Sequence, residues 1–220
     1  MQAKEIVENT KYLIYQKINR NQSLKNTTMR KLLVGLIGFL AITSLSSCGY
    51  NTMVQLDENV KAKWGQVENA YQRRADLIPN LVNTVKGAAN FEQETLTRVV
   101  EARAKATSIN VDADNLTPEA IAQFQQAQGA LSQSLGRLLA TVEAYPDIKA
   151  NQNFLQLQAQ LEGTENRISV ERRAFIEATQ QYNSEIRQFP NNLMAGIFGF
   201  KQKGTFTAEA GANQAPDVQF

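Results

Sequence analysis

The stretch "RRADLIPNLVNTVKG" begins at Arg73 and places Arg73, Arg74, Asp76 and Pro79 within two helical turns. Guanidinium and carboxylate groups so close together can pair with one another or bind a charged partner. Further charges stand far along the chain at Glu162, Glu165 and the Glu171-Arg172-Arg173 run. A carboxylate pair such as Glu162 and Glu165 is what general acid–base chemistry needs. Long helices also produce such pairs by composition, and the Glu171–Arg173 run reads as charge on a helix face. The rest of the catalytic inventory is thin. The 220 residues include no histidine, which removes the commonest general base and metal ligand. The single cysteine excludes an intramolecular disulfide framework and a cysteine-based zinc cluster. No glycine-rich loop for phosphate is present. No catalytic residue, metal or cofactor is expected. With 23 basic against 21 acidic residues, no nucleic-acid partner is expected either.

The elements that must position these charges are helical. From Asn51, the residues Met53, Leu56, Val60, Trp64, Val67, Tyr71, Ile78, Leu81 and Val85 recur at three- and four-residue spacing, and Arg74 alone interrupts them. Gly87 can end this helix. A second helix is predicted from an N-cap at Asn90, with Leu96, Val99, Val100 and Ala104 on its apolar face. Thr117 and Pro118 open a third, whose stripe runs Ile121, Phe124, Leu131, Leu135, Leu138, Val142 and Tyr145 up to a stop at Pro146. A fourth runs from about Asn151 to Phe189, with Glu165, Arg172 and Thr179 filling gaps in its stripe. The expected fold is all-α, an antiparallel four-helix bundle with long first and fourth helices.

Before the helices, Arg30 and Lys31 precede an apolar run from Leu32 to Leu45 and the sequence Leu45-Ser46-Ser47-Cys48. The run is shorter than the roughly 20 residues of a spanning helix. The order of positive, apolar and small-residue parts is that of a secretory signal. It resembles a bacterial lipoprotein signal, and that resemblance implies lipidation of Cys48. The other reading is an uncleaved N-terminal apolar anchor with an incidental cysteine. The expected organisation is a polar leader at 1–28, which reads as an over-extended start before Met29, then a signal at 29–47, a helical bundle at 48–189 and an irregular tail at 190–220.

The stretch "RRADLIPNLVNTVKG", followed in order by "LTRVVEARAKA", "LSQSLGRLLATVEAYPDIKANQNFLQLQAQLEGTENRISVERRAFIEATQQYNSEIRQFP" and a closing "PDVQF", resembles the LemA family over Tyr50 to Phe220. The resemblance implies a bacterial, membrane-anchored helical bundle without an established reaction. Many members resemble single-pass membrane proteins, and the lipobox here departs from that pattern.

If the first and fourth helices lie antiparallel with Thr52 level with Gln188, Arg74 falls opposite Asn166, next to Glu165, and Asp76 falls near Thr164, about two turns from Arg172. Arg74 and Glu165 are then expected as a buried pair that fixes register. Pro79 removes one backbone hydrogen bond, and the carbonyl freed near Ala75 is open to an arginine or a water. The competing reading is a ligand or partner site of Arg73, Arg74, Asp76 and Glu165. At the C-terminus, Val218 and Phe220 share one side of an extended end and suit either capture by a strand-adding groove or folding back onto the bundle. The function expected from all this is a non-catalytic scaffold on the exported side of a membrane, at the periplasmic face, held by lipid on Cys48 or by the apolar anchor and binding an unidentified envelope protein. The alternatives are an accessory subunit of an envelope protease, signalling or transport system, and an enzyme with an unrecognised carboxylate site.

Overall fold

The structure, a computed structural model, describes residues 2–87 and 91–207; within residues 2–48 it describes side chains only at 29 and 32–36. The side chain of Cys48, the expected cap Asn90 and the C-terminal residues Val218 and Phe220 therefore lie outside the described residues. The described residues are all-α, with helices α1 (Gln2–Lys86), α2 (Gln93–Ser108), α3 (Pro118–Val142), α4 (Pro146–Lys149), α5 (Gln152–Glu185) and α6 (Asn191–Phe198).

Two compact units divide the chain, Met1–Asn51 and Thr52–Phe220. In the first, the backbone is helical from Gln2, and Met29, Leu32, Leu33, Val34 and Leu36 are exposed. Among the described residues no helix is long and apolar enough to cross a membrane.

In the second unit the apolar stripes sort into two clusters. One gathers Met53, Val60, Trp64, Val67 and Tyr71 of α1, Ile121 and Phe124 of α3, Ile168, Phe175 and Tyr182 of α5, and Phe206. The other gathers Ile78, Leu81 and Val85 of α1, Leu96 and Val99 of α2, Leu131, Leu135 and Leu138 of α3, and Phe154 and Leu161 of α5. Helices α1 and α3 thus run from the first cluster to the second, and α5 runs back. The longest helices are α1 and α5, at 85 and 34 residues.

Helix boundaries follow local chemistry. The Thr117 side chain accepts from the Ala120 amide, and Pro118 occupies the first turn, where its missing N–H is harmless. Asn151 accepts from the amides of Asn153 and Phe154 and so caps α5. Several expectations are corrected. The second helix begins at Gln93, with Glu92 in the N-cap position making no side-chain cap bond, and Val100 and Ala104 are exposed because its inward face is Leu96, Val99 and Ala106. The third helix stops at Val142, and Pro146 begins the short α4. The fourth ends at Glu185, before Phe189, which is exposed. The segment 190–220, expected to be irregular, contains α6, which ends at Gly199 with φ 77°, a left-handed position that suits glycine.

Candidate functional site

Arg74 lies between the two apolar clusters. On α1 it stands between Tyr71 and Ile78, on α3 Gln128 stands between Phe124 and Leu131, and on α5 Thr164 and Glu165 stand between Leu161 and Ile168. Each helix therefore exchanges one inward turn for polar groups at the same height. Arg74 Nη1 donates to Ser132 Oγ at 2.7 Å and to Glu165 Oε2 at 2.9 Å. Its Nη2 donates to Gln128 Oε1 at 2.8 Å and to the Gln128 carbonyl at 3.3 Å. Gln128 Nε2 in turn reaches the Ala106 carbonyl at the end of α2, 3.4 Å away. The guanidinium also lies 5.0 Å from the centre of the Tyr71 ring, a cation–π distance. Burial pushes the Tyr71 hydroxyl above the usual tyrosine range, and the positive charges of Arg172 and Arg74 offset part of that rise.

The pair is asymmetric. The Arg74 side chain is 3% exposed and that of Glu165 is 55% exposed. The cation is buried among neutral acceptors, while its carboxylate partner reaches in from water. This corrects the expectation of a pair buried on both sides. It also makes Gln128 the principal internal partner, since its amide is buried with the guanidinium.

Proline chemistry one turn further on is resolved by α2. Pro79 cannot donate to the Ala75 carbonyl. That carbonyl instead accepts from Arg103 Nε at 2.7 Å. The proline thus leaves an acceptor on α1 that an arginine of α2 uses, tying two helices together at the layer.

A second constellation holds the segment after α6. Asn183 brackets Lys203, its Nδ2 donating to the Lys203 carbonyl at 2.8 Å and its Oδ1 accepting from the Lys203 amide at 2.9 Å. Gln125 brackets Thr207 in the same way, at 2.9 and 3.2 Å. Between them the Gly204 amide donates to the Leu116 carbonyl at 2.7 Å. Phe206 enters the first cluster, its ring centre 5.6 Å from Phe175 and 6.1 Å from Trp64, with the Arg172 guanidinium 4.5 Å from its face. Lys203 Nζ meets Asp57 at 2.9 Å, and Asp57 also meets Lys61, whose ammonium is held charged above its ordinary range chiefly by Asp114 and Glu58. Two side-chain amides thus supply the pairing that a neighbouring strand would give an extended chain. Gly204 admits no side chain, because a Cβ there would lie 2.6 Å from Pro118 Cα. Gly204→Ala is expected to destabilise by about 1–3 kcal/mol, as overpacking against backbone does; the urea midpoint of the purified chain measures it.

A family model described as the LemA family matches residues 63–220. The chain belongs to the LemA family. It is similar to magnetosome protein MamQ 2 of Paramagnetospirillum magneticum, with 28% identity over 80% of this chain and 71% of that protein. It is similar to magnetosome protein MamQ of Magnetospirillum gryphiswaldense, with 26% identity over 78% and 69% of the two chains. Protein LemA of Metamycoplasma hominis is 27% identical over 66% of this chain and 63% of its own length.

In this LemA-family chain the charges singled out in the sequence do not form one site. Arg73 and Asp76 are exposed and stand apart from Arg74, since one residue turns an α-helix by about 100° and two by about 200°. Asp76 accepts from Gln72 on its own helix at 2.7 Å. Pro79 is exposed, and Arg172 covers Phe206. A four-residue ligand site of Arg73, Arg74, Asp76 and Glu165 is therefore not assembled. Among the described residues no group of acidic or cysteine side chains is placed to hold a metal ion. The residues that the sequence reading passed over are Gln128, Ser132 and Arg103. The seven-residue step from Phe124 to Leu131 matches the steps from Tyr71 to Ile78 and Leu161 to Ile168, and was the signal for Gln128.

Tyr182, whose hydroxyl donates to the Lys201 carbonyl at 3.0 Å, has its pKa pushed up to about 12 by burial and by the negative charge of Asp57. An unfolded tyrosine loses its proton near pH 10. From about pH 10 to pH 12 the unfolded state alone releases it, so stability present below pH 10 falls across that window. Urea unfolding at pH 9 and pH 11.5 is expected to give a lower midpoint at the higher pH, with a smaller difference in Tyr182→Phe.

Proposed function

We propose that this LemA-family protein is a non-catalytic, membrane-anchored scaffold of the bacterial envelope. Its helices α1, α2, α3 and α5 act as an antiparallel four-helix bundle that presents a rigid body to a partner protein on the exported side. The observation that carries this reading is the use of Arg74. Both of its terminal nitrogens are taken up by Ser132, Glu165 and Gln128, which ties the cation to the fold rather than to a substrate. The names of the related proteins, magnetosome protein and LemA, describe no reaction, which agrees with a non-catalytic role.

The anchor is assigned to the segment before Thr52, with Cys48 as the lipid-bearing residue of a signal formed by Arg30, Lys31 and the apolar run to Leu45. Two or three acyl chains bury many methylenes at about 0.8 kcal/mol each, enough for stable attachment. Cells grown with an alkyne fatty acid are expected to label the wild-type chain and not Cys48→Ala. No label on the wild-type chain, with residues before Cys48 retained in the mature mass, would replace the lipid with an uncleaved apolar anchor, and label on the alanine variant would overturn Cys48 as the lipid-bearing residue.

A further inference from the structure

We propose that the outer face of α6 is a second membrane-contact surface, seated in the interfacial region of an anionic bilayer. The inference rests on the reading that the segment before Thr52 is membrane-anchored.

Helix α6 buries Ala195 against the first apolar cluster. The side away from Ala195 leaves Leu193 at 59% and Ile197 at 74% exposed, with Phe198 on the flank at 53% and Phe189 just before the helix at 81%. Exposed apolar residues on protein surfaces are ordinarily scattered singly. Here four large ones fall within ten residues. Residues 186–204 contain Arg187, Lys201 and Lys203 and no acidic residue. Arg187 and Lys201 are exposed, and Lys203 is committed to Asp57. The nearest acid upstream, Glu185, accepts from Asn191 Nδ2 at 2.6 Å. A short helix with leucine and isoleucine on its outer face, a phenylalanine on its flank and cations on either side is matched to lipid headgroups of negative charge.

Position within the second unit agrees. Phe198 and Gly199 line the same cleft as Asp57, and Lys203 pairs with Asp57, five residues after Thr52, where the unit begins. The apolar face is thus at the end by which the chain enters this unit.

The test uses the full chain, purified from membranes and reconstituted into phosphatidylethanolamine–phosphatidylglycerol vesicles whose acyl chains carry a photoactivatable diazirine. Trypsin then releases Gln188–Lys201, which contains α6, and Leu138–Lys149 from the far cluster. Gln188–Lys201 is expected to take up at least fivefold more lipid label than Leu138–Lys149, and Ile197→Glu to remove most of the excess while the chain still floats with the vesicles. Equal label on the two peptides in chains that float overturns the α6 contact and leaves the anchor standing. Low label on Gln188–Lys201 together with a dimer in the vesicles assigns the face to a second copy and likewise overturns it. A chain that does not float removes the anchor itself, and with it this inference.

Discussion

Arg74→Ala is expected to destabilise the protein by about 3–5 kcal/mol, because it breaks a buried charged cluster and leaves the Gln128 amide oxygen without its donor. Glu165→Ala, at the other end of the same ion pair, is expected to cost no more than about 1 kcal/mol, since more than half of that side chain is already in water. The two numbers differ because the guanidinium has three partners and the carboxylate can recover hydration. Urea denaturation of the two single variants measures both. Equal losses would mean that Glu165, and not the neutral acceptors on α3, holds the buried cation in place.

Phe206→Ala is expected to cost about 3–5 kcal/mol, the usual range for emptying a buried phenylalanine site. Its ring fills the gap between Trp64 and Phe175 and supports Arg172, so the loss falls on α1 and α5 as well as on the segment itself. Hydrogen exchange at the Lys203 and Gly204 amides, which donate to Asn183 and Leu116, is expected to quicken in the same variant. A loss below about 1 kcal/mol, with exchange unchanged, would make residues 199–207 a surface appendage of the fold.

Much of the fold was legible because the α1 stripe from Met53 to Val85 keeps helical spacing over nine turns, broken only at Arg74. Thr117 with Pro118, and Asn151, carry their capping chemistry in their own side chains. The polar layer was half legible. A charge inside an apolar stripe is visible, so Arg74 and Glu165 could be placed level with each other. Gln128 showed only as a gap in the stripe between Phe124 and Leu131, because glutamine is common on the outer faces of these helices and its burial depends on the guanidinium across from it. Arg103 was hidden for a similar reason: the acceptor that it uses exists only because Pro79 lies on another helix. Helix α6 was missed because Asn191, Asn192, Gly196 and Gly199 read as loop residues, while its helical stretch depends on Ala195 packing inward. The extended segment after it has no period to read. Its register is set by Asn183 and Gln125, side chains that sequence cannot distinguish from other surface amides.

The central claim is that Arg74 is consumed by a layer that joins α1, α3 and α5. A thermodynamic cycle of Arg74→Met, Gln128→Leu and the double variant, followed by urea unfolding, tests it most directly. Each single change should strand the other's polar group, whereas the double change replaces both by apolar side chains of similar size. The double variant is therefore expected to lose at least about 1.5 kcal/mol less than the sum of the single losses. Losses that add to within about 0.5 kcal/mol would show the two residues to be energetically independent and would contradict the layer.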